Sequence, residues 1–87
     1  MKVDKSLYAV VAKYVSGELS LCELQDWITS RMGLWESYDK DSPENEMTGD
    51  IMLAYYELGN GHRTEESVYE IARDLVRKFE PEPSRPA

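Results

Sequence analysis

Ser20, Ser42 and Thr64 each stand within about a turn of a stripe of apolar residues at helical spacing, and this pairing of cap and stripe confines most of the chain to helices. Ser20 is followed three residues later by Glu23. Its hydroxyl can take the free amide of Glu23 while the carboxylate returns to the amide of Ser20, so the pair reads as a capping box. Ser42 precedes Pro43, which has no amide to leave unsatisfied at a first helical position. Thr64 precedes Glu65 and Glu66, which match the positive end of the helix dipole.

The stripes supply the inner faces. Leu7, Val10, Val11 and Tyr14 mark a helix over residues 4–16, with Val3 one turn earlier and Gly17 at its end. Leu24, Ile28 and Met32 carry a second helix over 21–32 that stops before Gly33. Met47, Ile51, Ala54, Tyr55 and Leu58 carry a third over 43–58, closed by Gly59. Val68, Ile71, Ala72, Leu75 and Phe79 carry a fourth over 65–79, with Arg73, Arg77 and Lys78 toward its negative end. Residues 33–42 have no clean period and read as a loop. Residues 81–87 hold three of the four prolines and no apolar pattern, and read as a disordered tail.

The expected fold is therefore all-α: a single domain over residues 1–80, built as an antiparallel bundle of four helices. A chain of 87 residues buries roughly 60 to 65% of its unfolded surface, enough for one modest core.

Charge narrows the function classes. The net charge of −7 disfavours nucleic acid and anionic membranes, whose phosphates call for clustered Lys and Arg. No run approaches the roughly 20 apolar residues of a membrane span, and Lys2, Asp4, Lys5 and Lys13 interrupt any signal-peptide core. With the single cysteine, Cys22, unable to form an internal disulfide, a cytoplasmic location is expected.

Catalytic equipment is sparse. His62 has no second His or Cys to share a metal and no nucleophile to activate. Cys22 lies in the first turn of a helix, but Glu18 and Glu23 oppose the electropositive setting of a reactive thiol. Asp39 to Asp50 has the length of a calcium loop, yet Pro43 occupies its fifth position and Glu44 replaces the glycine of its sixth. Phosphate loops, nucleophile elbows and CxxC pairs are missing from the sequence. The sequence points to a binding protein with no cofactor or metal, not to an enzyme.

The acids are unevenly placed. Between Glu18 and Glu57 ten carboxylates face only Arg31 and Lys40, for a local charge of −8, while the rest of the chain sums to +1. These acids serve either as solvated faces that keep a small protein soluble or as a docking surface for a basic partner. On the second reading the candidate contacts are Trp35, Glu36, Tyr38, Asp39, Asp41, Glu44, Glu46 and Tyr56, with the aromatics as anchors among the acids. Trp35 has two readings, an exposed anchor or a plug folded back into the core.

Two segments, Tyr14 to Trp27 and Gly61 to Glu66, resemble small, mostly uncharacterised bacterial helical proteins, a likeness that implies a fold and no activity. The size, the acidity and the segment Tyr14 to Leu24 are similar to immunity proteins of the colicin D type. That resemblance implies a helical bundle that neutralises a basic nuclease toxin by covering its active site with acidic residues. It spans about the first third of the chain and carries over no contact residue. The expected function is thus a small acidic protein-binding module, immunity-like, with a basic protein partner such as a nuclease toxin. The alternative is a homodimeric structural or regulatory adaptor that docks through apolar contacts such as Tyr8, Tyr56 or Tyr69, its acids serving solubility.

Overall fold

The caps read from the sequence form the hydrogen bonds they imply. In the computed structural model, which describes residues 3–80, the Ser20 hydroxyl accepts from the Glu23 amide at 3.1 Å and the Glu23 carboxylate accepts from the Ser20 amide at 3.0 Å. Ser42 and Thr64 accept in the same way from Asn45 and Ser67. Asp4 caps the first helix by accepting from the Leu7 amide at 3.0 Å.

The described residues form five helices and no strand: α1 (Lys5–Val15), α2 (Leu21–Thr29), α3 (Met32–Glu36), α4 (Pro43–Gly59) and α5 (Glu65–Lys78). None is long and apolar enough to cross a membrane. The segment 81–87, expected to be disordered, lies outside the described residues.

Two helices end on the same device. Gly17 and Gly61 adopt φ of 88° and 76°, a left-handed conformation that a Cβ would disfavour. At the first, the amides of Gly17 and Glu18 reach back to the carbonyls of Tyr14 and Lys13; at the second, those of Gly61 and His62 reach the carbonyls of Leu58 and Glu57. Both are Schellman closures. The glycine that ends α4 is accordingly Gly61, while Gly59 is the helix's last residue.

The core collects Leu7, Val10, Val11 and Tyr14 from α1, Leu21, Leu24 and Ile28 from α2, Trp35 from α3, Met47, Ile51 and Ala54 from α4, and Val68, Ala72 and Leu75 from α5. Helix α5 packs on both α1 and α4, α2 bridges α1 and α4, and α3 lies on α4. Tyr55, Leu58, Ile71 and Phe79, expected on inner faces, are partly buried against this core.

One expectation is corrected. The second helix stops at Thr29 instead of reaching Met32, and the expected loop begins with the short helix α3. The cause is tertiary: the chain turns at Ser30 and Arg31 so that Trp35 can enter the core and donate its indole N–H to the Ile28 carbonyl at 3.1 Å. Met32, four residues after Ile28 and apolar, would continue the stripe of a longer helix, yet it is left 43% exposed. Burying an indole outweighs burying one thioether because of its larger apolar area.

Candidate protein-binding surface

The acidic segment between α3 and α4 is a built loop, fastened at both ends. On its N-terminal side the Tyr38 ring stacks on Trp35 with centroids 6.1 Å apart and an interplanar angle of 17°. Trp35 in turn lies 5.8 Å from Trp27, and the Arg31 guanidinium sits 4.2 Å above the Trp27 ring. The result is a column from the exposed Arg31 through the rings of Trp27 and Trp35 to Tyr38, whose hydroxyl donates to Asp4 Oδ2 at 3.3 Å. Burial and the neighbouring Asp4 and Glu44 charges raise the Tyr38 phenol above its ordinary range, so it is held as a donor.

On the C-terminal side Asn45, in the first turn of α4, gathers the loop backbone. Its Nδ2 group donates to the carbonyls of Tyr38 and Asp39 at 3.1 and 2.6 Å, and lies 3.3 Å from the Ser42 hydroxyl. A turn bond from the Ser42 amide to the Asp39 carbonyl closes the loop. The peptide groups of a loop this short would otherwise need water.

This arrangement divides the eight sequence candidates. Glu36, Asp39 and Asp41 are exposed and have no ion-pair partner among the described residues. Tyr38 is half-buried and Glu46 half-exposed, with Glu46 held by Lys78 of α5. Trp35, at 2% exposure, is the core plug and not a contact residue. Glu44, at 6%, is turned inward, where its Oε2 accepts from the Asp4 amide at 2.6 Å. A carboxylate placed between the starts of α1 and α4 satisfies an orphan N–H of one helix and complements the dipole of both.

Tyr56 stands apart from the loop. It is 69% exposed and lies about 16 Å along the axis of α4 from Asn45, at 1.5 Å per residue. Beside it, three residues earlier, Leu53 is 57% exposed. Sequence reasoning places Tyr56 on the outer side of this helix and passes over Leu53. The same helical spacing identifies Leu53, since it falls opposite the inner stripe of Met47, Ile51 and Ala54.

The other sequence candidates occupy ordinary surroundings. Cys22 and His62 are both exposed. Tyr55 sits beside Cys22, whose charge when deprotonated raises the phenol above its usual range. Among the described residues no group of three or more His, Cys, Asp or Glu side chains is arranged to hold a metal ion. Depressions beside Trp27 and Arg31, and between Tyr14 and Tyr69, are shallow and open to solvent.

No protein-family model, no curated protein and no solved structure matches this chain.

Proposed function

We propose that this protein is a small acidic binding module that presents Glu36, Asp39 and Asp41 to a basic surface of another protein, as an immunity-like inhibitor would cover the active site of a nuclease toxin. The observation that carries the reading is the pairing of exposed, ion-pair-free carboxylates with a loop whose backbone is already fixed by Asn45. A loop whose backbone is already fixed costs less ordering entropy when a partner arrives. Their shared sign accelerates encounter with a cationic surface and repels anionic competitors. The four longer helices are taken to run as an antiparallel bundle beneath this loop, in keeping with the contacts of α5 with α1 and α4.

The test is salt-dependent capture with the protein immobilised, using the wild type and the double reversal Asp39→Lys with Asp41→Lys. A basic protein held at low salt, released as the Debye length falls from about 10 Å toward 3 Å, and lost on reversal is the expected result. If that protein is a nuclease, its activity should fall on adding the wild type and recover with the reversed variant. Retention indifferent to both salt and reversal would sink the proposal.

A further inference from the structure

The end of α1 and the first turn of α5 meet across an open depression of about 370 Å³, lined by Tyr14, Leu19, Leu21, Glu65, Glu66 and Tyr69. The left-handed Gly17 turns the chain after α1 and brings Leu19 and Leu21 to the same depression as the two glutamates. The Tyr14 and Tyr69 rings meet edge to face, 6.1 Å apart at 63°. Such a pair is a stable packing in its own right and asks for no ligand. The Tyr14 hydroxyl is different. Tyr14 is only 7% exposed, yet its hydroxyl has no hydrogen-bond partner among the described residues. A buried polar group left in that state costs free energy. This hydroxyl is not sealed in, so it meets the depression that Tyr14 lines, and a group seated there can bond it.

Charge says what kind of group. Glu65 and Glu66 are exposed, and no Lys or Arg pairs with either among the described residues. Arg63, the cation nearest to them in sequence, is already held by Glu57 and Ser67. Their place in the first turn of α5 accounts for the two acids through the helix dipole, but it does not account for the unpartnered hydroxyl. Burial, and then the Glu65 charge, raises the Tyr14 phenol, so the group stays neutral beside that carboxylate. Ionised carboxylates only accept hydrogen bonds, and a phenol oxygen can accept one as well. The occupant that suits all three is a donor of positive charge, and one with a flat, weakly hydrated face also suits the tyrosine rings and the leucines. A guanidinium has both properties, whereas an ammonium has only the first.

We propose that this depression seats one arginine side chain of a partner protein, its guanidinium donating to Glu65 and to the Tyr14 hydroxyl and lying on the Tyr69 ring. The openness of the depression favours a side chain over a free small molecule, since sites for the latter enclose most of their ligand. An arginine carried on a protein surface is covered from the open side by its own protein. The site uses none of Glu36, Asp39 and Asp41, so it stands or falls apart from the acidic loop.

The experiment titrates the full isotope-labelled chain with N-acetyl-arginine amide and, at matched ionic strength, with its lysine and citrulline counterparts, of which citrulline keeps the planar head without the charge. Chemical shifts register weak binding, and the arginine probe is expected to move the amide signals of Gly17, Ser20, Glu65 and Glu66 with an affinity about tenfold above either counterpart. Tyr14→Phe keeps the ring and removes the hydroxyl, and should weaken arginine binding about three- to tenfold. It should melt no lower than the wild type, because that hydroxyl has no partner in the fold. Glu65→Gln should weaken binding by a similar factor. Equal affinity for arginine and citrulline would remove the charge from the argument, and equal affinity for arginine and lysine would remove the guanidinium; either result overturns the proposal. So would an unchanged arginine affinity in Tyr14→Phe, a lower melting point in that variant, or no binding of any probe. Signals moving only over residues 36–41 would overturn it too, while leaving the acidic loop as a docking surface.

Discussion

The indole N–H of Trp35 donates to the main-chain carbonyl of Ile28 across 3.1 Å, and this bond joins the end of α2 to the start of the acidic loop. The same carbonyl also accepts from the Arg31 amide at 3.1 Å, so removing the indole does not orphan it. Trp35→Phe should therefore cost only the hydrogen bond and part of the ring area, about 1 to 2 kcal/mol. Trp35→Ala should cost about 3 to 5 kcal/mol by leaving a cavity against Trp27 and Tyr38. Urea unfolding of the two variants measures both; a loss below about 1 kcal/mol for the alanine variant would contradict the role of Trp35 as core plug.

Glu44 fastens α4 to the first residue of the α1 cap, through its bond to the Asp4 amide. Glu44→Ala leaves that N–H facing a partly buried space without an acceptor, for an expected loss of about 1 to 3 kcal/mol. Glu44→Gln keeps an acceptor oxygen at the same reach and should lose less. The ordering of the two variants in thermal unfolding checks the assignment. Equal losses would mean that charge, and not the acceptor, is what Asp4 requires.

Local chemistry is legible in this sequence and long-range chemistry is not. The capping box at Ser20 and Glu23, the cap at Ser42 with Pro43, and the cap at Thr64 depend on residues within three positions of one another, and all three form as read. The end of α2 depends instead on Trp35, seven residues away, and the stripe through Met32 carries no sign of it. The candidate surface divides the same way. Asp39 and Asp41 are exposed as residues of a short polar loop usually are, whereas the burial of Glu44 depends on Asp4, forty positions earlier, which no local pattern records. Tyr56 follows from helical spacing, whereas the empty space beside Gly49, inside the same helix, is visible only in the fold.

That empty space makes a prediction for stability. Gly49 lies mid-helix with helical backbone, and a methyl group added to it would meet no atom within 4 Å, so Gly49→Ala restricts the unfolded chain without a clash in the folded one. The expected gain is about 0.5 to 1 kcal/mol. A higher denaturation midpoint with an unchanged urea slope would confirm it, and a destabilised variant would show that something in the fold does occupy that side of α4.

Alkaline titration tests the attachment of the loop to α1. Burial, then the negative Asp4 beside it, raises the Tyr38 phenol above its ordinary value near 10. The folded state therefore holds this proton more tightly than the unfolded chain. Its stabilising contribution is complete below about pH 10 and is lost as the pH rises through the folded value. Tyr8, Tyr14 and Tyr55 are raised as well, so they share the alkaline limb of the stability curve. Tyr38→Phe should make that limb shallower without removing it, and should remove one high-titrating phenol from the ultraviolet absorbance titration. The acid side has its own marker: hydrogen bonds from Ser20 lower the Glu23 carboxyl below the ordinary glutamate range, so the contribution of the capping box is present above that range and fades as the pH falls through the lowered value. Glu23→Ala should flatten the acid limb and leave the alkaline limb unchanged, and Tyr38→Phe should do the reverse. A variant that shifts both limbs equally would mean that the two anchors are not independent.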